Sequence, residues 1–383
     1  MLRNPFTPVF GGKPDCFFGR KNILRRFEAA LVDRGSEDRA LFITGSRGYG
    51  KTALLEQLSR RASDAGWLSV DVGPDNPIGT IMRYLVPFDE STKTVDPEIE
   101  VSVFGTGGKL RAGSNSKTVK YSRDDFEYLF VQACSKPGFK LFVTVDEIQK
   151  VSLDDVALIS GAFQMASRKG YDTMLAVAGL PYAHEQVIQH DGCTFLRRAA
   201  HESLGPLAPS DVVTAFAETF GKVKGLDVEA AAVDALVAAS KGHPYVMQLE
   251  GFYAVEAAGD SSHSGCLKVD DVVTILERVK TTYWRRAIKP LVDEMPDSEL
   301  AYVRAMARSL DDDRVARTGD IAQALGKAAN DVGGPRRRLI DDGIVASPAH
   351  GTLVFLIPYL AEFLLEEQPS RKDALELVLA WKM

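Results

Sequence analysis

Cysteine is scarce in this chain of 383 residues. Cys16, Cys134, Cys193 and Cys266 lie far apart without a C-x-x-C pair. Neither a disulfide framework nor a cysteine zinc site is expected, and reduced cytosolic thiols are. The histidines (His184, His190, His201, His243, His263 and His350) are as scattered and form no metal-ligand spacing. No apolar run is long enough to span a membrane, and the opening MLRNPFTPVF lacks a signal-peptide core. A cytoplasmic protein is the expectation. An excess of positive charge is missing too. The net charge is −6, which excludes a globally basic coat and confines any nucleic-acid contact to a local patch. No internal repeat or low-complexity segment is seen, so ordinary globular material remains, with room for two or three domains.

Against these absences, residues 41–55 stand out: LFITGSRGYGKTALL. Gly45, Gly50, Lys51 and Thr52 satisfy G-x-x-x-x-G-K-[ST], the spacing of a phosphate-binding loop. Glycines let backbone N–H groups of Ser46, Arg47, Gly48, Tyr49 and Gly50 close around phosphates without a Cβ in the way. Lys51 supplies a point charge, and the Thr52 hydroxyl suits Mg2+. The helix that opens through Lys51, Thr52 and Ala53 turns its positive end to the same anion. An apolar strand before the loop and helical apolar spacing after it complete the context. The ligand expected is ATP with Mg2+.

A second acidic motif follows. KLFVTVDEIQK is a β-branched run ending in Asp146 and Glu147. A carboxylate at the C-terminal end of a parallel strand can hold the shell of Mg2+, the role expected of Asp146, while Glu147 is placed to polarise an attacking water. The next strand, TMLAVAGLP, closes on Ala178–Gly179 with no polar side chain. Arg197 and Arg198 precede HESLGPL, the last expected core strand. They read either as residues that reach a neighbouring subunit's nucleotide or as an exposed pair at a helix end.

Together these motifs resemble the AAA+ superfamily, in the region between archaeal origin-recognition initiator ATPases and STAND signalling ATPases. NPFTPVFGGKPDCFFGRKNILRRFEAAL looks like the opening of that group, and the resemblance sets Phe18, Gly19 and Arg20 beside adenine. It also sets Gly242-His243-Pro244, in SKGHPYVMQLEG, against the nucleotide. It covers about residues 4–366. Two departures stand against it: the strand-end sensor is lacking after Ala178, and Gly-His-Pro replaces a lid arginine. Both imply slow, switch-like turnover.

The expected fold is α/β, a P-loop AAA+ parallel-sheet domain over 1–207, a helical lid over 208–290 and a winged-helix domain over 291–383. The lid reads as entirely helical. In the last domain DSELAYVRAMARSL, TGDIAQALG (Thr318 as N-cap) and AANDVGGPRRRLIDDG supply three helices, and IVASPAHGTLVFLIP a strand, turn and strand. The third helix is expected to bury Leu339 and Ile340 and to carry Arg336, Arg337 and Arg338 outward, toward duplex DNA or a protein partner. A second basic segment, residues 98–123, reads as a hairpin-like insertion or a surface loop, with Lys109, Arg111 and Lys117 among its cations. The leading expectation is a nucleotide-controlled ATPase that binds DNA, with a homo-oligomer as a further expectation. The alternative is a STAND-like switch whose winged helix contacts protein.

Overall fold

The computed structural model describes residues 3–9, 17–85, 123–259 and 265–366. The chain divides into two compact units, one of Arg20–Gly45 and Gly50–Leu204, the other of Met1–Gly19, Ser46–Tyr49 and Gly205–Met383.

The first unit is built on five parallel strands: β1 (Ala40–Gly45), β2 (Leu68–Val72), β3 (Lys140–Val145), β4 (Asp172–Gly179) and β5 (Ala200–Leu204), in the order β2-β3-β4-β1-β5. Composition explains the order. The three central strands read ALFITG, KLFVTV and DTMLAVAG and are buried almost throughout, as strands covered on both faces must be. The edge strands LSVDV and AHESL carry polar residues that alternate toward solvent. Helix α1 (Lys21–Ala30) precedes the sheet, and α2 (Lys51–Asp64), α3 (Pro77–Leu85), α4 (Arg123–Cys134), α5 (Leu153–Arg168) and α6 (Pro181–Gln189) lie in the crossovers. In α1, Ile23, Leu24, Phe27 and Ala30 form one buried stripe. Ser152 caps α5 by accepting from the Asp155 N–H at 3.1 Å. Every loop that leaves the C-terminal edge of a parallel sheet is a candidate for ligand contact. The loops after β1, β3 and β4 leave adjacent strands of that edge, with β4 between the other two.

The second unit holds α7 (Pro209–Phe220), α8 (Ala230–Ser240), α9 (Pro244–Ala258) and α10 (Val269–Tyr283), then a π-helical turn at Trp284–Ile288 and α11 (Lys289–Asp293). The expectation of an all-helical lid needs correction. A short parallel pair, β6 (Asp227–Val228) and β7 (Cys266–Leu267), ties the start of α8 to the start of α10. Two residues per strand are too few for any sequence period to reveal. The rest of the unit is α12 (Asp297–Arg308), β8 (Ala316–Arg317), α13 (Thr318–Ala324), α14 (Gly333–Asp341), β9 (Val345–Ala346), β10 (Thr352–Phe355) and α15 (Leu360–Glu366). Three helices with an antiparallel β8-β10-β9 sheet have the plan of a winged helix. Two details differ from the sequence reading. Thr318 is the first helical residue rather than the cap, and its hydroxyl donates to the Gly351 carbonyl at 3.2 Å, pinning the wing turn. Ile340 is only half-buried beside fully buried Leu339. One apolar cluster runs through this unit from Phe6, Phe216 and Leu249 to Tyr302, Leu339 and Leu353.

Candidate nucleotide site

Within the first unit, the anchor of the loop is Gly45. A Cβ there would stand 2.9 Å from the Leu204 carbonyl of β5, so only glycine allows the strands this approach. Gly50, at φ +87°, turns the chain into α2 from the left-handed region. Lys51 is buried, and its Nζ donates to the Gly45 carbonyl at 2.8 Å. Thr52 donates its hydroxyl to Asp146 Oδ2 at 2.6 Å. This bond joins the first turn after the loop to the end of β3, two places that lie 94 residues apart in sequence. The other Asp146 oxygen accepts the Glu147 N–H at 2.8 Å. Glu147 itself sits at φ +52°, unusual for a residue with a side chain, and its Oε2 accepts from Gln149 Nε2 at 2.8 Å. A hydroxyl and a carboxylate in contact, beside a buried lysine, form the oxygen donor set that a hard divalent cation takes.

Within the second unit, the tip of the loop, Ser46–Tyr49, is held by α9. His243 caps that helix: its Nδ1 accepts the Val246 N–H at 3.3 Å. With Nδ1 thus an acceptor, the proton lies on Nε2, which donates to the Arg47 carbonyl at 3.3 Å. Burial pulls the His243 pKa down from 6.5 to about 4, so the ring is neutral. The ring also lies against Gly48, where a Cβ would come within 2.5 Å of its Cε1. Tyr49 packs edge-on against the same imidazole and donates its hydroxyl to the Leu356 carbonyl, just after β10, at 3.1 Å. Gly242, at φ +71°, admits the Pro206–Leu207 backbone, since a Cβ would lie 2.3 Å from the Leu207 carbonyl. Pro244 takes the first position of α9. The sequence singled out His243 and Pro244 by resemblance. It held no sign of the Tyr49 bond.

The remaining expected residues fall unevenly. Gly19 and Arg20 form a left-handed turn at φ +72° and +58°, and Arg20 opens α1. Ala53 is half-buried in α2. Arg197 and Arg198 are both exposed, and Arg197 donates to the carbonyls of Ile188 and His190 at 2.8 and 3.3 Å, closing the end of α6. The three arginines of α14 are not equivalent. Arg336 donates to Ser347 Oγ at 2.9 Å, Arg337 is exposed and pairs with Asp341 at 3.7 Å, and Arg338 is bound to the buried carboxylate of Glu299. Arg337 and Arg338 are exposed and Arg336 is half-buried, so the three arginines face outward to different degrees. Lys109, Arg111 and Lys117 lie outside the described residues, as does the 98–123 insertion apart from Arg123 in α4.

Residues 16–175 match the family model of the AAA ATPase domain. That stretch resembles an AAA ATPase domain. Residues 286–364 match a domain of unknown function (DUF8462). No curated protein matches the chain in sequence. Among solved structures the ORC2 protein of Aeropyrum pernix (ADPNP-ADP complexes) is similar, with a TM-score of 0.65 and 14% identity over 95% of this chain and 96% of that one. Cdc6p from Pyrobaculum aerophilum has a TM-score of 0.51 and 15% identity over 96% and 99%. The Aeropyrum pernix ORC1 protein in complex with DNA has a TM-score of 0.50 and 16% identity over 97% and 98%. The fold of this chain thus resembles that of these archaeal ORC and Cdc6 proteins, and the parallel sheet expected from the sequence is present, with five strands.

Proposed function

We propose that the protein binds ATP with Mg2+, hydrolyses it slowly, and uses the nucleotide state to control binding to duplex DNA. The observation that carries this reading is the junction of Lys51, Thr52, Asp146 and Glu147 at the C-terminal edge of the sheet. Backbone N–H groups of Ser46–Gly50 would cradle the phosphates and Lys51 would neutralise them. Thr52 and Asp146 would hold Mg2+, which supplies charge neutralisation between the phosphates when bound. Glu147 would take the proton of the attacking water. The water oxygen then forms its bond to the γ-phosphorus as the bond to the β-phosphate oxygen breaks, leaving ADP and phosphate. By the resemblance, Gly19, Arg20, His243 and Pro244 are further candidates for nucleotide contact. Support comes from the AAA ATPase match and from the ORC2 relative, whose structure is of ADPNP and ADP complexes.

The DNA half of the reading rests on the winged-helix plan of α12–α15 and on the ORC1 relative, whose structure is a complex with DNA. Arg337 is the most outward of the α14 arginines, with Arg336, Arg338 and the basic residues Lys109, Arg111 and Lys117 as further candidates. The fold relatives are initiators, so the signalling alternative gains nothing from them. A homo-oligomer would give Arg198, rather than Arg197, the freedom to reach a neighbour's nucleotide.

The test begins with nucleotide. Lys51→Ala should lose measurable ATP binding in a titration with Mg2+, and Glu147→Gln should bind ATP but turn it over far more slowly. Duplex DNA affinity is then measured with ATP and with ADP. Wild-type ATP affinity in the lysine variant, or no DNA binding at low salt in either nucleotide state, would refute the corresponding half.

A further inference from the structure

Strand β4 ends between the strands that lead to the phosphate loop and to Asp146–Glu147, yet it ends on Ala178–Gly179. That edge position has no side chain to contribute. The reason lies in the turn after β3. A Cβ at Gly179 would meet Ile148 Cγ2 at 2.6 Å and Gln149 Oε1 at 2.7 Å, so the space is already taken. Gln149 is half-buried there and spans two strand ends. Its Oε1 accepts the Leu180 N–H at 3.2 Å and its Nε2 donates to Glu147 Oε2 at 2.8 Å. The amide can be assigned in one orientation only. Flipped, it would face an N–H with an NH2 group and a carboxylate with an oxygen, losing both bonds. Glu147 is constrained from the other side as well, because its N–H is tied to Asp146 Oδ1. Lys150 also lies 3.3 Å from Glu147 Oε2, but its ammonium is mostly exposed and such pairs hold weakly.

We propose that Gln149 is a positioning residue: it fixes the Glu147 carboxylate against the end of β4, in the place where a strand-end side chain would otherwise stand. This rests on the reading of Glu147 as the proton acceptor. Neither gripping group on Gln149 is charged, so it can orient the carboxylate without neutralising it. Because Leu180 directly follows β4 and caps α6, any shift of that strand end would move the carboxylate too.

The experiment compares Gln149→Met, Gln149→Ala and Glu147→Gln, singly and in the pairs that combine positions 147 and 149. Methionine keeps the volume beside Gly179 but makes neither hydrogen bond, so it separates packing from orientation. Turnover should fall at least about tenfold in Q149M, the scale expected for a misplaced reacting group, with ATP affinity unchanged within about twofold. Thermal melts establish that each variant is folded. In the E147Q background, Q149M should cost nothing more, because a residue acting only through another shows no effect once that partner is gone. Normal turnover in Q149M, an undiminished loss on top of E147Q, or a loss accounted for by weaker ATP binding would each overturn the proposal. If E147Q itself hydrolyses ATP normally, the assignment of Glu147 falls and takes this proposal with it. If E147Q is inactive and Q149M is normal, only the role of Gln149 falls.

Discussion

His243 and Glu250 are both buried on α9, and they respond to pH in opposite directions. The neutral His243 ring has a pKa lowered from 6.5 to about 4 by burial. Between those values the unfolded chain binds the extra proton and the folded chain does not. Stability therefore declines as pH falls from 6.5 toward 4, by roughly 3 kcal/mol in all. His243→Asn keeps a side-chain acceptor at the helix cap and removes the titration, so unfolding midpoints across this range should depend less on pH. Glu250 is the reverse case. Both of its oxygens lack a partner among the described residues, and burial raises its pKa well above 4.5. Its folded form keeps the proton, so stability is lost as pH rises above 4.5. Glu250→Gln should be more stable than wild type at pH 8, by a margin that shrinks toward acid; an equal margin at both ends would count against this account. Arg338 gives a third prediction at this scale. Its guanidinium answers the buried Glu299 carboxylate, so Arg338→Ala should cost about 2 kcal/mol or more in denaturant unfolding. Arg338→Ala with Glu299→Gln should cost less than the arginine change alone.

At the scale of elements, the phosphate loop is continuous in sequence but its tip answers to α9 and to the residue after β10. The Tyr49 hydroxyl on the Leu356 carbonyl is one bond, and its loss in Tyr49→Phe should lower the stability of the nucleotide-free protein by about 1 kcal/mol, read as a shift in melting temperature. If that bond also transmits nucleotide state, the ratio of DNA affinities with ATP and with ADP should move toward one in the same variant. Wing strand and phosphate loop would then be independent if the ratio stayed as in wild type. Much of the element pattern was readable beforehand. The β1 and β3 runs and the three helices of the last domain follow local periods that no distant contact has to supply. The pair β6–β7 and strand β8 were not readable, because two-residue strands exist only through their partners.

For the whole molecule the question is whether a chain of net charge −6 can hold duplex DNA. It can do so only through a local patch, and the salt dependence reports the size of that patch. Arg337→Ala should lower the slope of log affinity against log salt by about 0.9 if the arginine meets one phosphate, with ATP binding unaltered. A slope identical to wild type would remove Arg337 from the interface. Removing all three arginines together would confuse this measurement, since Arg338 also stabilises the fold. The phosphate loop, the acidic pair and the α/β class were determined by the sequence alone, because each depends on neighbours within a few residues and on the period of one strand or helix. Tertiary structure decided the rest. Gln149 meets Leu180 across 31 positions, Arg338 meets Glu299 across 39, His243 meets Arg47 across 196, and Tyr49 meets Leu356 across 307. Each of these bonds is made by a residue type common in any sequence, and packing alone brings its partner within hydrogen-bonding distance.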